Sequence, residues 1–293
     1  MARGSLRKGA FTARLVVLLC SSVGGALADD VDQPFQLSGG CGKPAPDVPP
    51  SSVAVGDRTR AVITVVPGGY RPDTVHALVV AFHGRTNSNA QVQRYFDLER
   101  HASGPMIFVY PAGLADVFGR YTWSEPGEPT TGLRDFALFD SVLERMAGTY
   151  CIDRNRVFVV GHSLGAWFAN SLACARGGVI RGLGSIGGGI TRPKDCTGPV
   201  AAMVLHNPHD AQVPIQQGIQ VRNALLQQNR LLPDGRPEHM ERFDCSRYGS
   251  DAAENPVLWC PHVDNVTASG RFYPHQWPVG SGTAFMEFFA GLQ

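Results

Sequence analysis

The chain has 293 residues and a formal net charge of +1, with charged side chains at 17% and hydrophobic ones at 43%. That balance provides neither the basic surface that nucleic acid requires nor a polybasic patch for an anionic membrane. The length suits one large α/β core.

The chain opens with Arg3, Arg7, Lys8 and Arg14, then a short apolar run, Leu15–Leu19, then small residues ending in Ala26-Leu27-Ala28. A basic start, a brief apolar centre and an A-x-A exit predict a signal peptide over residues 1–28. The apolar run is too short to span a bilayer. Residues 29–293 are expected to form one exported domain, extracellular, monomeric and free of membrane. Beyond the leader stand Cys41, Cys151, Cys174, Cys196, Cys245 and Cys260. An even number in an exported chain predicts disulfides, with fifteen possible connectivities. No Cys/His grouping has zinc spacing, so neither metal nor cofactor is expected.

A Pro/Gly-rich stretch runs through Ser52 and is expected to be extended and pinned at Cys41. Strand-like runs follow at Ala61–Val66, Ala77–Phe82, Met106–Tyr110, Arg156–Val160, Leu183–Ile186 and Ala201–His206. Several are unbroken Val/Ile/Leu/Phe runs, as in strands covered on both faces. Between them, Phe136, Phe139, Leu143 and Met146 mark one face of a helix over Asp135–Tyr150. Ala166–Ala175, Ile215–Gln228 and Thr283–Gly291 read as further helices. Strand alternating with helix predicts a mostly parallel sheet with helices on both faces. The polar, turn-rich stretch Pro233–Gly270 reads as a long excursion or cap. Cys245 and Cys260, fifteen residues apart within it, are expected to pair and to staple it.

Gly161-His162-Ser163-Leu164-Gly165 lies between the strand Val157–Val160 and the helix that begins at Ala166. With 34 glycines in the chain, G-x-S-x-G alone is a loose pattern. Its strand–turn–helix setting is what identifies Ser163 as a candidate nucleophile lifted clear of a sheet, as in the α/β-hydrolase fold. A serine hydroxyl needs a base, and the base needs an acid, in chain order Ser, Asp/Glu, His. Asp210 follows the strand Ala201–His206, at the carboxyl end where such sites collect; the alternative is a cap on the helix from Ile215. His275, in Tyr273-Pro274-His275-Gln276-Trp277-Pro278, is the candidate base, with His262 as the alternative. The oxyanion would take the backbone N–H of Leu164 and that of Arg85, which follows Gly84 after the strand Ala77–Phe82. His83 reads as a buried scaffold histidine. Trp123 and Trp277 are candidates for an aromatic wall against a planar acyl group or sugar ring. Asn265-Val266-Thr267 fits a glycosylation sequon.

Gly40-Cys41-Gly42-Lys43-Pro44, Phe82-His83-Gly84-Arg85-Thr86, Tyr150-Cys151-Ile152-Asp153, Gly161–Gly165, Leu172-Ala173-Cys174 and His275-Gln276-Trp277-Pro278 occur in the order seen in type C feruloyl esterases. Over nearly the whole exported chain the sequence resembles that type and the wider group of secreted feruloyl esterases, acetylxylan esterases and polyhydroxybutyrate depolymerases. The resemblance implies an α/β-hydrolase fold and a serine ester hydrolase with Ser163, Asp210 and His275 as its triad. It implies feruloyl esters of plant cell-wall polysaccharide as the first substrate class. Polyester and acetylxylan are the enzymatic alternatives, and a carbohydrate-binding protein on an inactive hydrolase scaffold is the non-enzymatic one. The chain departs from the usual pattern at Asn207-Pro208, at Pro274 and at Ala166, all beside the triad.

Overall fold

The computed structural model of the chain describes Met1 and residues 35–124, 134–191 and 196–292. Residues 2–28 of the expected leader lie outside the described part. From Phe35 onward the chain forms one unit. Its strands and helices follow in the order β1 (Ser52–Val55), β2 (Arg58–Val65), β3 (His76–Phe82), α1 (Asn89–Phe96), β4 (Met106–Pro111), β5 (Leu114–Ala115), β6 (Tyr121–Thr122), α2 (Arg134–Thr149), β7 (Ile152–His162), α3 (Leu164–Ala175), β8 (Gly182–Ile186), β9 (Ala201–His206), α4 (Ile215–Gln228), β10 (Arg236–Met240), β11 (Phe243–Tyr248), β12 (Val257–Pro261) and α5 (Ser281–Ala290).

Ten of the strands form one sheet in the order β1-β2-β4-β3-β7-β8-β9-β12-β11-β10, while β5 and β6 make a separate short ribbon. The central strands β4, β3, β7, β8, β9 and β12 run parallel. Every residue of β3, β4, β8 and β9 is buried, which explains the continuous apolar runs within β3, β4 and β9. On one face α2, α3 and α4 pack through Phe136, Phe139, Phe168, Leu172, Val221 and Leu225. On the other, α1 and α5 pack through Val92, Phe96, Phe285 and Phe289. The mostly parallel, doubly covered sheet expected from the sequence is thus present.

Two parts differ from expectation. The stretch read as a cap instead extends the central sheet: β12 pairs in parallel with β9, and β11 and β10 continue outward antiparallel. The run Val257-Leu258-Trp259-Cys260 is buried because β12 lies inside the sheet. In β11, only Phe243, Cys245 and Tyr248 turn fully inward, and such half-buried strands look polar in sequence. Helix α1 was also not expected. Its start is a capping box: the Gln91 N–H donates to the Ser88 hydroxyl at 3.2 Å and the Ser88 N–H to the Gln91 side chain at 2.7 Å.

Three disulfides are formed. Cys41–Cys151 ties the segment before β1 to the start of β7, and Cys174–Cys196 ties the end of α3 to the approach to β9. Cys245–Cys260 has the expected partners but links neighbouring strands β11 and β12 inside the core.

Peptide mapping without reductant is expected to recover these three pairs. Cys41–Cys151 closes 110 residues and Cys245–Cys260 only 15. In chain-entropy terms their removal costs about 4.7 and about 3 kcal/mol respectively. The Cys41→Ala/Cys151→Ala variant should therefore unfold at lower urea than Cys245→Ala/Cys260→Ala, and the opposite order would overturn the entropic ranking.

Candidate active site

β7 leads into α3 through Ser163, whose backbone sits at φ 57°, ψ −125°. A non-glycine residue at positive φ is costly and persists where the surroundings impose it. Here the surroundings are three elements that meet almost backbone to backbone. A Cβ on Gly165 would lie 2.1 Å from the Phe82 carbonyl oxygen, and one on Gly161 would lie 2.3 Å from that of Gly165. Both glycines are therefore required by contact, and the turn between them holds the Ser163 side chain at the carboxyl edge of the sheet. The Ser163 N–H donates to the Ile186 carbonyl at 3.0 Å, which fixes the turn against β8.

His275 Nε2 lies 2.7 Å from the Ser163 hydroxyl, and His275 Nδ1 lies 2.5 Å from Asp210 Oδ2. In the neutral ring this is the tautomer with Nδ1–H donating to Asp210 and Nε2 accepting from the serine. The other Asp210 oxygen accepts the backbone N–H groups of Gln212 and Val213, each at 2.9 Å. Burial pushes the Asp210 carboxyl up, but the His275 hydrogen bond and these N–H groups outweigh it and hold it below the usual range. Asp210 does not cap α4, whose N-cap is Pro214. His275 and Asp210 are both buried, so the hydrogen-bonded chain through them lies in a water-poor setting.

The alternative base, His262, is not at Ser163: its Nδ1 accepts the Asp264 N–H at 3.3 Å. The loops carrying acid and base are instead tied through Asn207, which the sequence did not single out. Its side-chain amide donates to the Asp264 carbonyl at 3.1 Å and to the Asn265 side chain at 3.0 Å, and Gln276 donates to the same Asp264 carbonyl at 2.8 Å. Its position between β9 and Asp210 was the available signal.

The loop after β3 lies against Ser163, with a Cβ on Gly84 only 3.2 Å from Ser163 Cβ. Among the described residues neither the Arg85 N–H nor the Leu164 N–H meets a protein acceptor. Leu164 opens α3, where the helix dipole adds partial positive charge. His83 is fully buried, as expected. Its Nε2 accepts the Gly113 N–H at 2.8 Å, so Nδ1 carries the proton and donates to the Gly84 carbonyl at 2.8 Å.

The two tryptophans do not form one wall. Trp123 is buried on the α2–α3 side, stacked on Phe168, with its indole N–H donating to the His83 carbonyl at 2.7 Å. It borders a small recess shared with Leu164 and Trp167. Trp277 turns to the opposite face of the sheet and stacks on Phe96 at 3.8 Å between ring centres. Its half-buried ring packs against the α1–α5 core and lies 6.2 Å, centre to centre, from His162. Asn265, of the sequon, accepts the Asn207 amide already described.

Further histidines are buried nearby, His162, His83 and His262 among them. His162 lies beneath the base, ring centres 5.3 Å apart, with Nδ1 3.2 Å from the Tyr95 hydroxyl. Desolvation, then the neighbouring His275, lower its pKa to about 3. Desolvation likewise lowers His83 and His262 to about 4. All three are neutral around the relay at neutral pH. Among the described residues no His/Cys/Asp/Glu grouping is arranged to hold a metal ion, and no helix is long and apolar enough to cross a membrane.

No protein-family model matches the chain. It is 31% identical over 179 residues to probable feruloyl esterase C of Aspergillus terreus, covering 58% of this chain and 62% of the relative. To feruloyl esterase C of Emericella nidulans it is 28% identical, covering 59% and 63%. The alignments thus span about three fifths of these relatives. A poly(3-hydroxyalkanoate) depolymerase C of Paucimonas lemoignei is 28% identical over 144 residues, 48% of this chain and 34% of that protein. Among solved structures, acetyl xylan esterase from Aspergillus awamori superposes with a TM-score of 0.56 at 15% identity, covering 79% of this chain and 94% of its own. The fold is that of the α/β-hydrolases, and the resemblance read from the ordered motifs, to feruloyl esterases and to a polyester depolymerase, holds.

Two outcomes follow from this geometry. Gly165→Ala is expected to yield little folded protein, because its Cβ meets backbone rather than a side chain that could turn aside; folded, soluble Gly165→Ala protein would contradict the contact. Secondly, the lowered pKa values of His83, His162 and His262 mean that the unfolded chain protonates first as pH falls. Their contribution to stability is full above 6.5, the ordinary histidine value, and declines down to about 4, or about 3 for His162. Urea midpoints should fall across that window, and His262→Gln should flatten the dependence by about one proton's worth, at most about 1.4 kcal/mol per pH unit.

Proposed function

We propose that this chain is an exported serine carboxylic ester hydrolase. The observation that carries the reading is the continuous hydrogen-bonded chain Ser163–His275–Asp210 beside two N–H groups that meet no acceptor among the described residues. His275 Nε2 takes the hydroxyl proton as Ser163 Oγ attacks the ester carbonyl. The resulting oxyanion is received by the N–H groups of Leu164 and Arg85, donors fixed before the reaction begins. Collapse expels the alcohol, protonated by His275, and leaves an acyl group on Ser163. A water deprotonated by the same His275 then releases the acid. Asp210 keeps the ring in the productive tautomer and stabilises its cationic form. Asp210→Asn is therefore expected to lower kcat by about 10⁴.

Feruloyl esters of plant cell-wall polysaccharide are the proposed substrates, supported by the likeness to two feruloyl esterases C. Polyester hydrolysis is the second reading, supported by the likeness to the depolymerase. Export is supported by the leader-like start of the sequence and by three disulfides.

The test is one panel: methyl ferulate, short-chain p-nitrophenyl esters and a polyhydroxybutyrate film, with wild type and Ser163→Ala. Wild type should hydrolyse methyl ferulate, Ser163→Ala should hydrolyse none of the panel, and a phosphonate ester should label Ser163. Activity on the film alone would favour the polyester reading. Labelling at another serine would refute the nucleophile.

A further inference from the structure

The chain carries a second buried histidine at the site whose bonding is as complete as that of the base. His83 is bonded at both ring nitrogens and at its own carbonyl, and all three partners belong to the walls of the oxyanion loop. Gly113 is shaped for it: a Cβ there would lie 3.0 Å from His83 Nε2 and 2.6 Å from the Thr122 carbonyl oxygen. The β5–β6 ribbon can therefore close onto the imidazole only because residue 113 has no side chain.

The geometry points to His83 as the positioning residue of the oxyanion site: its Nδ1–H captures the Gly84 carbonyl and thereby turns the Arg85 N–H toward Ser163. This rests on the esterase reading above. The Gly84 carbonyl and the Arg85 N–H belong to one peptide unit, and no described peptide bond is cis. In a trans unit the C=O and N–H point to opposite sides. Drawing the carbonyl onto the ring at 2.8 Å sends the N–H the other way, and Gly84 has Ser163 on its open side.

The imidazole is held in turn. Trp123 donates to its carbonyl, and the next residue, Ser124, is clamped by Asp135: the Ser124 N–H donates to that carboxylate at 2.6 Å, and the Asp135 N–H donates back to the Ser124 hydroxyl at 3.1 Å. Asp135 is fully buried and pairs with Arg60 at 2.7 Å, while Arg60 also donates to the Ala112 carbonyl at 2.8 Å, next to Gly113. One buried ion pair thus anchors both strands of the ribbon that grips His83. His83 must be neutral for this: a protonated Nε2 would face the Gly113 N–H with a second donor. Burial keeps it so, with a pKa near 4.

The two ring nitrogens have separable roles, and amide side chains can test them. Asparagine places an N–H near the Nδ1 position, whereas glutamine places its amide near Nε2. His83→Gln, losing the Gly84 contact, is expected to lower kcat on a methyl ester by about 10²-fold, the effect of one missing oxyanion donor, with KM changed less than threefold. His83→Asn should regain most of that loss. A trifluoromethyl ketone, whose adduct with the serine carries the oxyanion, should bind His83→Gln more weakly by a factor similar to the loss in kcat/KM.

Trp123→Phe keeps an aromatic ring against Phe168 and removes the N–H to the His83 carbonyl together with part of the buried indole, so its melting temperature is read beside its activity. It is expected to lower kcat and ketone affinity together, and it decides the matter if neither His83 variant folds. Equal losses in His83→Gln and His83→Asn that follow their melting temperatures, or Trp123→Phe with unaltered ketone affinity, would overturn the proposal. Ser163→Ala run alongside separates the two claims: if it stays active, the esterase reading falls, whereas an inactive Ser163→Ala with an unaffected His83→Gln refutes this inference alone.

Discussion

The site depends on how closely α3 can approach the ends of β3 and β7. Gly161 and Gly165 meet each other and the Phe82 carbonyl at distances that leave no room for a methyl group. That approach forces Ser163 into positive φ, lifts its hydroxyl off the sheet and brings the start of α3 beneath it. The same approach presses the loop after β3 against the serine, so the Ser163 hydroxyl and the N–H groups of Leu164 and Arg85 are set by one packing event. The turn's cost, of order 1–3 kcal/mol for such a backbone, is borne by a core in which β3, β8 and β9 are wholly buried.

Around this turn the electrostatics are kept sparse. Asp210 is held ionised by His275 and by two backbone N–H groups rather than by a lysine or arginine. His162, beneath His275, is kept neutral largely by its own desolvation, so it places no charge beside that ring. The buried pair Arg60–Asp135 lies elsewhere, on the ribbon behind the loop after β3, where a fixed charge pair supplies rigidity away from Asp210 and His275.

What could be read from the sequence were the residues whose chemistry admits few alternatives. The elbow, the order Ser163–Asp210–His275 and the buried parallel strands come from contacts and periodicities that leave an unambiguous pattern. β10 and β11 were missed because strands with one face outward carry Arg, Glu, Asp and Ser, and their alternation is short. The pairing of Cys245 with Cys260 was legible from spacing while its setting was not: the bond crosses two neighbouring strands instead of closing a loose excursion. Trp277 misled for a related reason. Two residues past the base it has already crossed to the α1–α5 side, because its ring finds Phe96 and Phe285 there. The roles of Gly113 and Asn207 depend on partners distant in the chain, Gly113 on His83 and Asn207 on Asp264 and Asn265, which one sequence does not pair.

The outermost strand, β10, determines how this edge of the sheet meets other molecules. An edge strand offers a row of free N–H and C=O groups, a template for addition of a foreign strand. β10 interrupts that row with Pro237, which has no N–H, and borders it with Arg236, Glu238 and His239. Arg236 is paired with Asp251 and Glu238 with Arg247, so an incoming strand would have to break ion pairs as well as go without a hydrogen bond. The sheet can grow to ten strands and stop there, with this flank closed to the edge-to-edge stacking that begins aggregation.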